Sequence, residues 1–368
     1  WWQSVEEWAR KLIKQRNYKF KSKEDLQRYI AIAINERAID LMKQQRTSEA
    51  IAESERLIRE FKSDKELRAK AMMNLAALYE RAKRVKEAVA TYERVVKEFK
   101  KSSVAPEAQF VIGQLYESQT RFKESAEAFL KMSKFKDNKQ AATAVANAAF
   151  LRKAMEDYPG AIDAFKKFLK LFPKHENAAQ VYLEIGYIME VLNEDKNLKA
   201  AVKHYQKFGK KYASEHVRRV EASTRAGRLL RELDSRKQAK RNEKRKEDQP
   251  IKKVYSNRKK AAAAFAAAVA ELPNALQQVK SMGADGAKLG PRAKNYAAES
   301  MYWLADYVFQ DFDDAKIPST LNPTKLKDAL LKKAELHQQA EKKFDEVLMM
   351  GDAGWLACAA FRNGLLYY

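Results

Sequence analysis

Cysteine occurs once in the 368 residues, at Cys358, so neither an intramolecular disulfide nor a paired-cysteine metal or redox motif can form. Glycine (11) and proline (8) are few for this length and β-branched runs are scarce, which argues against a sandwich, a barrel or a collagen-like chain. What remains is helices joined by short turns. The four histidines, His175, His204, His216 and His337, show no HxxxH or HExxH pairing, so no metal site is expected. No apolar run approaches the roughly 18 residues that span a bilayer; the nearest, Ala261–Ala270, is short and mostly alanine. Acidic residues are outnumbered, 49 against 72 Lys and Arg, leaving a formal charge of +23. Hydrophobic residues reach 46%, enough to build a core. The chain opens at Trp1 without a methionine or a basic-then-apolar leader, and is read as a processed product or an excised fragment.

The strongest pattern present is self-similarity. From the tail of one expected helix to a small residue opening the next, the count is nine at Leu41–Ala50, Tyr79–Ala88, Tyr116–Ser125 and Arg152–Ala161. Met189–Ala201 repeats it with three residues inserted. A small residue lies three positions before each tail: Ala38, Ala76, Gly113, Ala149 and Gly186. Four positions after each opener stand Ser54, Tyr92, Phe129, Phe165 and Tyr205. The openers are 38, 37, 36 and 40 residues apart. Small residues let two helices approach and the aromatic fills the gap to the next pair. Each pair alone leaves an apolar face open, so the pairs must stack into a solenoid.

The spacing of small, aromatic, small, aromatic resembles the tetratricopeptide repeat. It is carried best by Leu75-Ala76-x-x-Tyr79 with Ala88 and Tyr92, and by Ile112-Gly113-x-x-Tyr116 with Ser125 and Phe129. The resemblance implies an all-α, right-handed stack of helical hairpins and a concave face lined by helix-A positions six and two before the tail. On this chain those positions hold Asn35, Met73, Phe110, Ala146 and Leu183, then Ile39, Ala77, Gln114, Phe150 and Tyr187, of which Met73, Phe110, Gln114, Phe150, Leu183 and Tyr187 form a candidate groove for an apolar helix or extended peptide. The family's clamp for a C-terminal carboxylate needs Lys, Arg and Asn there, and this set does not supply it.

The expected organisation is an N-terminal capping helix over 1–25, five helix pairs over 26–215, a basic helix or connector over 216–260, and C-terminal helical repeats over 261–368. In the cap, Trp1, Val5, Trp8 and Leu12 stand at helical spacing. Residues 218–260 hold 17 Lys and Arg against 6 Asp and Glu, and from Ser235 to Lys253 apolar residues almost vanish. That stretch is expected to be a solvated helical extension or a linker. In the last block, Leu304-Ala305-x-x-Val308, Ala340 and Phe344 repeat the grammar, and Asn322-Pro323 reads as an N-cap with proline at the first helical position. Gly364-x-x-Tyr367 is the middle and tail of a further helix A, so the last repeat is expected to be truncated.

No catalytic constellation emerges, and no cofactor, metal or small-molecule substrate is expected. Cys358, within Leu-Ala-Cys-Ala-Ala, is expected to be a small core residue. The loop Gly283–Gly290 lacks the Gly-Lys-Ser/Thr ending of a phosphate cradle and is read as a turn between helices. The basic stretch offers an anionic-partner patch of Arg236, Lys237, Lys240, Arg241, Lys244, Arg245, Lys246, Lys252 and Lys253. Its partners would be a lipid surface, a cell-wall polymer or nucleic acid. Tyr255 is almost its only aromatic, so a stacking platform for single strands is missing.

A solenoid encloses little volume, so a protein–protein interaction scaffold is the first reading and a nucleic-acid-binding repeat protein acting through 218–260 the second. The endings Tyr92…Phe99 and Phe165…Phe172-Pro173 are similar to envelope tetratricopeptide proteins of Gram-negative bacteria, such as the outer-membrane-protein assembly lipoprotein (BamD) and Tol-Pal-associated types. Arg362-x-Gly364-x-x-Tyr367 is similar to tetratricopeptide proteins of deltaproteobacterial gliding machinery. Both resemblances imply a periplasmic scaffold; a cytoplasmic address is the alternative.

Overall fold

A computed structural model describes residues 1–15, 23–62, 64–245, 253–319 and 322–367. Among the described residues there are sixteen α-helices and no strand. The chain divides into two compact units, Trp1–His175 and Glu176–Tyr368.

The first unit holds α1 (Trp2–Lys14), α2 (Lys23–Lys43), α3 (Thr47–Glu60), α4 (Lys65–Arg81), α5 (Val85–Glu98), α6 (Ala105–Ser118), α7 (Phe122–Lys131), α8 (Ala141–Ala154) and α9 (Tyr158–Leu171). Helices α2–α3, α4–α5, α6–α7 and α8–α9 are the expected pairs, and within the unit each B helix also packs on the next A helix. The small openers Ala50, Ala88, Ser125 and Ala161 are fully buried, as are Phe129 and Phe165. A Cβ on Gly113 would lie 2.5 Å from the Phe129 ring, so only glycine admits that ring. Each buried aromatic removes enough apolar surface from water to stabilise the stack by about 1.5–3 kcal/mol.

One turn is used again and again. Gln45, Lys83, Thr120 and Glu156, each four residues after a helix-A tail, adopt φ between 58° and 62°. The following N–H donates back to the tail carbonyl: Arg46 to Leu41, Arg84 to Tyr79, Arg121 to Tyr116 and Asp157 to Arg152, at 2.8–2.9 Å. The three arginines then pair with a glutamate in the first turn of helix B, Glu49, Glu87 and Glu124, at 2.6, 3.0 and 2.8 Å. In the fourth turn Asp157 instead accepts from the Gly160 N–H at 3.0 Å.

Helix α1 covers α2, but with a different face from the one expected. Trp1 and Trp8 point to solvent, Trp8 with 55% of its surface exposed, while Glu6 and Ala9 are buried. Glu6 accepts from Arg10 at 2.9 Å and from Arg56 of α3 at 2.7 Å, and that pairing turns the helix. Residues 16–22, which include the end of the expected cap, lie outside the described residues.

The second unit holds α10 (Ala178–Val191), α11 (Asp195–Lys211), α12 (His216–Glu243), α13 (Arg258–Ser281), α14 (Leu289–Asp314), α15 (Pro323–Met349) and α16 (Ala353–Gly364). The tail-to-opener turn here has Asn193 at φ 52°. A Cβ on Gly186 would meet the Tyr205 ring at 2.5 Å, so α10–α11 is built like the pairs of the first unit. Asn322 caps α15 through the Lys325 N–H at 3.1 Å, with Pro323 opening the helix as expected. Gly283 to Gly286 form a 3-10 turn leading into α14.

As far as Glu243 the basic stretch is one continuous helix, α12, packed against α11, α13 and α14. Its Val217, Val220, Ala226, Leu229, Leu230 and Leu233 are buried. Past the helix, Val254 is buried and the Asn257 N–H donates to Asp234 at 2.8 Å. Gly227 faces Phe265 at 2.5 Å from a would-be Cβ, and Ala261 four residues before Phe265 is fully buried. So α12 and α13 are themselves a helix pair, in which α12 runs on past the usual tail position to Glu243. In α14–α15 the same places are taken by Ala305, Ala340 and Phe344, all fully buried. Cys358, expected in the core, is exposed, because α16 buries only Ala359 of its own length.

Candidate interaction surfaces

The helix-A positions separate into open and closed ones. In the first unit Met73 packs against the core around Leu75 and Tyr79, and Phe110 is half-buried with its ring 5.5 Å from Phe129. Gln114 is exposed, and so is Phe150 (41%), whose ring meets Phe165 edge-on at 5.1 Å. In the second unit Leu183 is fully buried and offers a partner no surface. Tyr187 is half-buried, and its hydroxyl donates to Glu221 at 2.6 Å. Of the six groove candidates, Gln114 and Phe150 are open.

The basic candidates are partly absorbed by the fold. Arg236 pairs with Glu232 at 2.7 Å and Asp195 at 3.4 Å, and Lys240 with Asp195 at 2.8 Å. Lys237 donates to the Ser256 hydroxyl at 2.8 Å. Lys253 pairs with Asp314 at 2.5 Å and Asp313 at 3.3 Å. Arg241 and Lys244 are exposed, Arg245 is half-buried, and Lys246 and Lys252 lie outside the described residues.

Net charge alone could not show what lies beneath. Glu221, Arg225, Arg228 and Arg231 climb α12 at helical spacing, and each meets an opposite charge or an aromatic face. Arg225 pairs with Glu221 at 3.0 Å and Glu190 at 3.1 Å, and lies 4.4 Å over the Tyr187 ring. Arg292 reaches Glu221 at 2.9 Å. Arg228 grips Glu299 with two hydrogen bonds, one of 2.7 Å. Arg231 lies 3.7 Å over the Trp303 ring and 3.4 Å from Asp306, which Arg362 of α16 also approaches at 3.1 Å. Burial opposes the charge on Glu221, yet the Tyr187 hydroxyl, Arg292 and Arg225 outweigh it and hold the carboxyl below its ordinary range. Burial, then Glu221, pushes the Tyr187 hydroxyl up; burial, then Glu190, does the same to Tyr205. Burial carries Tyr212 up to about 12. The periodic arginines were readable in the sequence; their acidic partners, scattered over α10 and α14, were not.

Above this ladder a cleft of about 560 Å³ opens, lined among others by Arg231, Asp234, Tyr255, Arg258, Tyr307 and Phe309. Its cations are matched: Arg258 by Asp311 at 2.7 Å, Lys253 by Asp314, Arg231 by Asp306. Among the described residues no group of His, Cys, Asp and Glu is disposed to hold a metal ion, and no helix is long and apolar enough to cross a membrane.

Models of the tetratricopeptide repeat match residues 35–103, 88–139 and 147–175. Among curated proteins none matches the chain. Solved structures with similarity include the C-terminal part of a TPR repeat-containing protein from Cytophaga hutchinsonii, at 14% identity and a TM-score of 0.36, covering 74% of this chain and 91% of that one. A tetratricopeptide repeat protein from Parabacteroides merdae shares 15% identity at a TM-score of 0.32, over 74% of this chain and 98% of its own. MamA from Desulfovibrio magneticus RS-1, from residue 41 to its end, shares 15% identity at a TM-score of 0.28, over 50% and 96%. At these scores the likenesses carry no weight beyond the repeat matches.

Proposed function

We propose, from the premise that the chain is a tetratricopeptide-repeat protein, that it works as a non-catalytic protein–protein interaction scaffold in a multiprotein assembly. The observation that carries this is the exposed pair Gln114 and Phe150 on the helix-A side of α6 and α8. Phe165 holds the Phe150 ring edge-on, so the anchor is ordered before any partner arrives and little rotamer freedom is lost on binding. Gln114 on α6 supplies an exposed amide that can bond a partner's backbone.

We further propose that the assembly belongs to the bacterial cell envelope, in the periplasm, and that gliding motility is the process. The support is the resemblance at Arg362-x-Gly364-x-x-Tyr367. In the fold Arg362 ties α16 to Asp306 and lies 4.8 Å over Phe309, and the Tyr367 hydroxyl donates to Glu341. Those residues fasten α16 onto α14 and α15.

The nucleic-acid reading keeps Arg241 and Lys244 as exposed cations. In-cell crosslinking and recovery of the chain, with nuclease treatment before mass spectrometry, separates the two. Envelope proteins retained after nuclease support the scaffold; ribosomal or nucleoid proteins that vanish with nuclease transfer the function to α12.

A further inference from the structure

Helix α6 has a second side. Gln109, Ile112 and Tyr116 lie nearly opposite Phe110 and Gln114 around the helix and face a cleft between the B helices α5 and α7. The larger part of this cleft, about 560 Å³, is lined by Val96, Lys97, Lys100, Lys131, Lys134 and Phe135, with Glu93 its single carboxylate, shared with the smaller part. The four lysines are exposed, and none has an ion-pair partner among the described residues. Val96 and Phe135 are half-buried and give the floor an apolar strip. Gln109 is buried and fixed, its amide donating to the Ala128 carbonyl at 2.9 Å, so the floor is rigid.

Past Gln109 the cleft continues into a smaller one, and its walls change sign. Glu127 lines that end with Glu93 and Lys131, both shared with the larger part, so the balance there is acidic; neither glutamate has an ion-pair partner among the described residues, and Glu124 beside them is matched by Arg121. A uniform polyanion would gain from one end and be repelled by the other. A peptide with acidic residues, then an apolar side chain, then basic residues meets both ends and the floor.

We propose that this cleft between α5 and α7 docks an extended segment of a partner protein, acidic at one end and basic at the other, with an apolar residue seated over Val96 and Phe135. The partner is a different protein. This chain carries 72 cationic against 49 anionic side chains, and its acidic run Asp311–Asp314 is already held by Arg258, Lys253 and Tyr255. The inference rests on the scaffold reading but uses a face that Gln114 and Phe150 do not share.

The test is fluorescence polarisation on the full chain with a labelled peptide of sequence Asp-Glu-Asp-Leu-Phe-Gly-Lys-Lys, a peptide of the same composition with its charges interspersed, a single-stranded oligonucleotide and anionic lipid vesicles as probes. The ordered peptide is expected to bind at least tenfold tighter than the scrambled one. Lys97→Glu with Lys131→Glu should weaken it about tenfold or more, whereas Lys166→Glu with Lys210→Glu, the same charge change elsewhere, should not. Gln114→Ala with Phe150→Ala should leave this binding intact, which separates its failure from that of the helix-A surface. Equal binding of both peptides, unchanged binding with the Lys97 and Lys131 changes, as great a loss with the Lys166 and Lys210 changes, tighter binding of the oligonucleotide or vesicles through Lys97 and Lys131, or no peptide binding at all would each overturn it. Circular dichroism of each variant confirms that the exposed lysine changes leave the helices folded.

Discussion

The ring of Phe265 occupies the place where a Cβ on Gly227 would stand, 2.5 Å from the ring's Cε1. Phe129 stands in the same relation to Gly113 and Tyr205 to Gly186, so three helix pairs are closed by one device. Gly364 of α16, by contrast, has nothing within 4 Å of a would-be Cβ. Gly227→Ala is therefore expected to destabilise by about 1–3 kcal/mol through overpacking. Gly364→Ala should be neutral or stabilise by up to about 1 kcal/mol, since alanine is the better helix former. Thermal melts of the two variants side by side check this, and a loss at Gly364 equal to that at Gly227 would count against the shared geometry.

The aromatics that fill the gaps between pairs should dominate stability. Tyr92 and Phe165 are buried, and truncation to alanine leaves a cavity that rigid helices cannot close. Tyr92→Ala and Phe165→Ala are each expected to cost about 3–5 kcal/mol in urea unfolding. Midpoints unchanged by either would contradict the repeat register.

Thr120 is a β-branched residue at φ 58°, a conformation that crowds its side chain. Glycine there relieves the crowding and keeps the turn's Arg121-to-Tyr116 hydrogen bond of 2.9 Å. Thr120→Gly should raise stability by roughly 1 kcal/mol, since glycine is the residue best suited to a left-handed helix end. A lowered melting temperature would show that the threonine is held there by contacts worth more than the strain.

The ion ladder sets a pH window. Glu221 titrates below its ordinary 4.5 in the folded protein, so its contribution is present above about pH 4.5 and is lost as pH falls through the folded value. Tyr187 and Tyr205 are raised above their ordinary 10.0, so their contribution is present below about pH 10 and is lost as pH rises toward the folded values. Denaturation midpoints against pH should show a plateau between these limits. Glu221→Gln should lower the plateau by about 1–3 kcal/mol, because Arg292 loses its carboxylate and the Tyr187 hydroxyl its charged acceptor while Arg225 keeps Glu190, and should flatten the acid limb. An acid limb of unchanged steepness in that variant would assign acid sensitivity to other carboxylates.

How far the fold was legible follows from what each signal depends on. The pairs α2–α3 to α10–α11 rest on small and aromatic residues at fixed local spacing, and the sequence displays that directly. The pair α12–α13 obeys the same rule at Gly227, Ala261 and Phe265, but the 31 residues from Leu230 to Ala261, against nine elsewhere, break the count and hide it. Net charge over 218–260 was a poor guide to packing because Glu190, Glu299 and Asp306, which neutralise its arginines, come from elsewhere in the chain. The outward tryptophans of α1 were misread because a buried Glu6–Arg56 pair, invisible to a hydrophobic period, turns that helix. Of the six groove candidates, register alone does not tell the exposed Gln114 and Phe150 from the buried Leu183, because burial depends on neighbours that register does not reveal.

Scaffolding through the helix-A face has one direct test: a photoreactive phenylalanine analogue placed singly at positions 114, 150, 241 and 244 of the full chain, irradiated in cells and treated with nuclease before electrophoresis and mass spectrometry. Positions 114 and 150 are expected to give discrete protein adducts that survive nuclease, with few from 241 and 244. Adducts confined to 241 and 244 and abolished by nuclease, with none from 114 or 150, would contradict the scaffold and assign the function to the basic helix.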